Sequence, residues 1–225
     1  QDVNQYMTKG VWSNIPDDTF QIGYDPVILV YNYLAAKEKP ETPRNIIKDR
    51  VLTKDNIKNM WDFNTGFIEN EEAAKRLKKP VDKKPDKHLK IAMVEFEDND
   101  FCRQIHSGMS AAGNKLKECN TSVDWIHLFD YVKSKTDLNV REFDPTKGIS
   151  KEIWQAGLNQ LVKDGYDAII TQVLDDFLIP IINDISKMGC ILATNNIEPI
   201  SMRGFLSAIK DQTEGILNLS NDVSD

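Results

Sequence analysis

The sequence predicts an α/β protein: three layers, α/β/α, around a mainly parallel Rossmann-like sheet. Three observations carry this. From residue 88 onward, apolar runs of strand length alternate four times with amphipathic stretches of helix length. The amphipathic stretches start at capping residues or end at glycines, which marks them as separate helices. Alternation of this kind builds parallel strands joined by right-handed helical crossovers, with helices on both faces. Apolar residues make up 40% and charged residues 28% of the 225, enough for a packed core under a charged surface.

The elements follow in order. "LKIAMVEF" (89–96) is a short apolar run that reads as a buried strand. A helix is expected from Asn99 to Lys117, because Phe101, Ile105, Met109, Ala112 and Leu116 share one helical face. "SVDWIHLF" (122–129) reads as the second strand and 130–149 as a long polar connection. Ser150 is a good N-cap for a helix bearing Ile153, Trp154, Leu158, Leu161 and Val162, with Gly165 as the residue past its end. "YDAIITQV" (166–173) is the third strand. "DDFLIPIINDISKM" (175–188) is a helix with Pro180 in its first turns, stopped by Gly189, and "CILATNN" (190–196) is the fourth strand.

The first 64 residues differ. "QDVNQYMTKG" reads as a short helix and "VWSNIP" as extended. Asp25-Pro26 has the form of an N-cap followed by proline at the first helical position. "VILVYNYLAA" is apolar almost all round, so its helix is expected to be buried. "RNIIKDRVL" reads as extended. Residues 65–87 form a charged, proline-containing linker, and its basic cluster "KRLKKPVDKKPDK" reads as a solvated stretch rather than a binding patch. Residues 203–225 show a weak 3-4 spacing through Leu206, Ile209, Thr213, Ile216, Ser220 and Val223. They are expected to be an amphipathic helix, either pairing with a second copy or lying on the domain.

Composition narrows the function. A net charge of −7 argues against nucleic acid or an anionic membrane as partner. No apolar run approaches a membrane span, and no signal-peptide pattern opens the sequence. Cys102, Cys119 and Cys190 have no disulfide or zinc spacing, and the histidines have no metal spacing. There is no phosphate loop, nucleophile elbow or dinucleotide fingerprint. Asp175-Asp176 is explained by helix capping. No cofactor and no enzyme activity are therefore expected. In open parallel sheets a ligand sits beyond the carboxyl ends of the strands. Those ends here are "EDNDF", "QVLDD" and "NNIEP", rich in the groups that hydrogen-bond hydroxyls. Turn and capping preferences would also make such loops polar.

"KIAMVEFEDNDFCRQIHSGMSAAG", "GYDAIITQVLDDFLIPIINDISKMGCILATNN" and "IEPISMR" together resemble the start of periplasmic sugar-binding proteins, type I solute-binding proteins of the ribose and galactose kind. "YMTKGVWSNIPDDTFQIGYDPVILVYNYL" and "RVLTKDNI" resemble the end of the same family. The end-like part (1–64) thus precedes the start-like part (88–202), with 65–87 between and the C-terminal helix (203–225) after. The resemblance implies one lobe in permuted order, or a segment of a tandem receptor where one module ends and the next begins. It implies a non-enzymatic module binding a small polar solute such as a sugar, in an extracytoplasmic transport or chemotaxis-type signalling receptor. Its ligand residues would be Asn99 and Phe101 (hydrogen bond and ring stacking), Gln172, Asn196 and the hinge residue Asp17. Asn196 stands where the family often has an aspartate, no arginine follows it, and the second lobe has no counterpart. A lobe that has lost its ligand and serves as a dimerisation or docking module is the alternative. "AIKDQTEGILNLSNDVS" is loosely similar to chemoreceptor signalling helices.

Overall fold

The computed structural model describes residues 13–15, 19–40, 45, 47, 50–52, 61–62, 66–67, 71–96, 99–140, 149–173, 176–196 and 216–220. In chain order the first elements are strand β1 (Ser13–Ile15), helix α1 (Thr19–Ala36) and strands β2 (Arg50–Leu52), β3 (Trp61–Asp62) and β4 (Gly66–Phe67). Helix α2 (Glu71–Arg76) and the α/β series follow: β5 (Leu89–Glu95), α3 (Asp100–Leu116), β6 (Thr121–His127), α4 (Leu128–Lys135), α5 (Lys151–Lys163), β7 (Ala168–Thr171), α6 (Leu178–Lys187) and β8 (Ile191–Asn196). Strand β9 (Ile216–Ser220) comes last. No helix among the described residues is long and apolar enough to cross a membrane.

The main sheet is all parallel, in the order β6-β5-β7-β8-β9. Two small antiparallel pairs, β1-β2 and β3-β4, stand apart from it. The crossover from β5 to β6 runs one way along the sheet, and those to β7 and β8 run the other way. Right-handed connection then puts α3 on one face and α4, α5 and α6 on the other. The two cores match this. Ile91, Met93 and Ile170 share one with α3, while Ala92, Val94, Ile169 and Leu192 share the other with α4, α5 and α6.

That rule leaves the α3 face bare over β7 and β8. Helix α1 covers it, packing along α3 and against β8 and β7. The early segment and the later α/β series therefore build one layer together. Gly23 and Gly108 let the two helices touch backbone to backbone: a Cβ on either would lie 1.9 Å from a carbonyl oxygen of the other helix. The outer face of α1 is covered too, by the extended run 77–83. Asp25 Oδ1 accepts the Lys78 N–H (2.9 Å), and the Asn32 amide donates to Lys79 O (3.0 Å) and accepts from the Val81 N–H (2.9 Å). The Tyr31 hydroxyl donates to Lys83 O at 2.8 Å, and Leu77 is buried. This explains a helix that is apolar almost all round.

Several expectations are met closely. Ser150 caps α5 through the Ile153 N–H, and Gly165 and Gly189 adopt φ of +82° and +87° past their helices. Three are corrected. Helix α1 runs straight through Pro26, and Asp25 is no N-cap but a buried residue holding the 77–83 strap. Proline inside a helix costs about 3 kcal/mol or more. Burial on the sheet side, the α3 side and the strap side offsets it. Residues 128–135, read as the end of the second strand (128–129) and the start of the connection (130–135), form α4, entered directly from β6. Residues 216–220 are a strand rather than helix, because "ILNLS" supplies an apolar run that pairs with the open edge of β8. The rest of 203–225 lies outside the described residues, as does the expected helix at 1–10.

Candidate functional site

The strand order, second-first-third-fourth-fifth in chain sequence, puts its switch point between β5 and β7. On the α1/α3 face the sheet is apolar up to its last row, where Trp125, Met93, Ile170 and Ala193 lie side by side. One residue pair further along, that face turns polar in a single step. His127 pairs with Glu95 across β6-β5. Gln172 and Asn195 continue the register of β7 and β8 beyond Thr171 and Thr194.

Glu95 is fully enclosed, and its Oε2 accepts a hydrogen bond from Gln172 Nε2 at 2.6 Å. Gln172 is 3% exposed. Asn195 is also fully enclosed, and neither Nδ2 nor Oδ1 has a hydrogen-bond partner among the described residues. An unpaired amide in such a place costs roughly 1–3 kcal/mol per group. A carboxamide with both ends open offers two donors and an acceptor, which matches neighbouring hydroxyls on one small molecule. His127 Nδ1 lies 2.9 Å from Asp130 Oδ2, at ion-pair distance but without hydrogen-bond alignment.

Helices α1 and α3 run in the same direction. Thr19 bonds Gln104 near both N-termini, and Lys115 lies over the Tyr24 ring further along. Both N-termini therefore meet the sheet at its carboxyl edge, where their dipoles favour negative charge.

Of the five residues expected from the sequence, four come to this edge or beside it. Asn99 caps α3, its Oδ1 accepting the Cys102 N–H at 2.9 Å. Phe101 sits in the first turn of α3, half-buried against the α1/α3 core. Gln172 is in the polar row, and Asn196 is the last residue of β8. Asp17 lies outside the described residues. The sequence reading missed Glu95 and Asn195. The pleat was the available signal: residues 191, 193 and 195 of β8 share one face, so Asn195 and not its neighbour continues the α1/α3 side.

No cluster of three or more metal-binding side chains occurs among the described residues. The Cys190 thiol is pushed up to about 12, chiefly by burial and then by the nearby Asp167 charge. No protein-family model matches the chain, and no curated protein matches its sequence.

Proposed function

We propose that this chain is a non-enzymatic solute-binding or sensory module, of the kind used in extracytoplasmic transport and signalling receptors. Its solute is small, polar and sugar-like, and binds at the carboxyl edge of the parallel sheet. One observation carries the reading: the row Glu95, Gln172 and Asn195 at the switch point, with the Asn195 amide enclosed and without a hydrogen-bond partner among the described residues. Buried polar groups are nearly always satisfied, so an exception at a ligand-binding position favours a missing partner there. The likeness of residues 88–202 to sugar-binding lobes supports the same reading.

Native mass spectrometry with a pool of simple sugars tests it, on the wild type and on Asn195→Leu. Leucine has nearly the shape of asparagine and needs no partner. The variant is expected to unfold at a higher urea concentration than the wild type and to lose a sugar mass that the wild type carries at one per chain. A wild type that takes up no sugar, or a variant that keeps it, refutes the proposal. The enclosure of all three side chains, none more than 3% exposed, favours a second reading: a lobe that docks a partner or a second copy without small ligand. A concentration-dependent dimer with no added mass is its signature.

A further inference from the structure

The stretch 75–90 holds eight basic and two acidic residues, a local charge of +6 in a chain of net charge −7, which leaves −13 for the remainder. A charge run of this kind is ordinarily a solvated, mobile face. Here its backbone is fixed. Asp25, Tyr31 and Asn32 of α1 bond the main chain of Lys78, Lys79, Val81 and Lys83, and Leu77 is sunk into the core. Pro80 and Pro85 stiffen it further.

The side chains of Lys78, Lys79, Lys83 and Lys84 are exposed, and no ion pair with another described residue holds them. All the fixed bonds go to the backbone, so the ammonium groups of Lys79, Lys83 and Lys84 stay available, while the Lys78 charge also acts on Asp25. From 78 to 84 an extended chain reaches at most about 20 Å. The charges are too spread for one phosphate or carboxylate and dense enough for a surface carrying many anionic groups.

We infer that this strap is a preordered lysine ridge that docks the protein on an anionic lipid surface. The ridge between 77 and 84 has no arginine fork and no aromatic ring. It therefore lacks the bidentate and stacking contacts by which proteins grip nucleic acid. What it offers is point charge, which suits a diffuse layer of headgroups. The stretch carries +6 against −13 for the rest of the sequence, so an anionic surface attracts the strap and repels the remainder.

Co-sedimentation with vesicles tests this, comparing phosphatidylcholine with 30% phosphatidylglycerol against phosphatidylcholine alone, at 100 and 500 mM salt. Each lysine near an anionic leaflet contributes roughly a fivefold gain in partitioning. The wild type is expected to pellet with the anionic vesicles at low salt only. The triple variant Lys79→Glu, Lys83→Glu, Lys84→Glu is expected to lose at least about a hundredfold. It spares Lys78 and every strap hydrogen bond, so its fold is kept. A second triple variant, Lys133→Glu, Lys151→Glu, Lys163→Glu, changes net charge equally on exposed helical positions away from the strap and should bind nearly as the wild type does. No binding to anionic vesicles at 100 mM, an equal loss in both variants, or tighter binding to a short DNA duplex than to the vesicles overturns the inference.

Discussion

Gly108→Ala is the sharpest test of how the two parts of the chain are joined. The added Cβ would lie 1.9 Å from Phe20 O, 2.8 Å from Phe20 C and 3.0 Å from Tyr24 N. All three are backbone atoms of α1 and cannot swing aside. Ordinary contact begins near 3.4 Å, so the helices must part by roughly 1.5 Å along that line. A gap of even 0.5–1 Å forfeits a quarter to a half of the dispersion energy between facing atoms. The atoms affected include the buried Ile22, Ile105 and Met109. Overpacking of this kind costs about 3 kcal/mol at the upper end of its usual range. Alanine returns about 1 kcal/mol of helix propensity. The net expectation is a loss of about 2 kcal/mol, which is about 1 M in urea midpoint for a slope near 2 kcal/mol/M. Gly157→Ala is the control. Its Cβ meets Leu128 Cδ1 at 2.4 Å and Val132 Cγ2 at 3.0 Å, flexible side-chain ends that can rotate away. Steric cost and propensity gain there nearly cancel. If Gly108→Ala is as stable as the wild type, or Gly157→Ala loses as much, then α1 is not seated on α3 by backbone contact and the account of the layer fails.

Three further outcomes follow from the strap and the core. Burial raises the pKa of Asp25 above its ordinary value, although the Lys78 N–H, the Gln21 amide and the Lys78 charge pull the other way. A carboxyl whose folded pKa is raised holds more protons folded than unfolded, so its contribution to stability falls as pH rises from below about 3.8 through the folded value. Asp25→Asn is therefore expected to flatten that decline, matching or exceeding the wild type in urea at pH 7 and losing its advantage near pH 4; an unchanged pH slope refutes it. Asn32→Ala removes both bonds to Lys79 and Val81, and trypsin should then cut after Lys78 and Lys83 several times faster while the rest of the chain resists. Cys190, buried and pushed up to about 12, should label with a thiol reagent at pH 8 only after unfolding, and the half-buried Cys119 should label first.

How much of this could be read beforehand depended on whether the signal was local. Caps and glycine stops are local, and Ser150, Gly165 and Gly189 placed two helix ends and a helix start correctly. Pro26 misled because its rule is local while its remedy is tertiary: three packed surfaces hold α1 together across a residue that alone would begin or end a helix. Helix α4 was missed because β6 passes into it with no turn residue between. The same limit divides the site. Composition at the strand ends pointed to the carboxyl edge of the sheet, but which of two adjacent asparagines faces α1 is fixed by register, and a slip of one residue reverses it. Glu95 was passed over because it lies inside a strand read from its apolar run, although the pleat that puts Ile91 and Met93 on the α1/α3 face puts Glu95 there too. The pairing of β5 with β6 and the bond from Gln172 put it in the same row. The residues that the fold hides most completely are thus the ones that a turn-and-cap reading passes over, and here they are also the ones that the proposed solute would need.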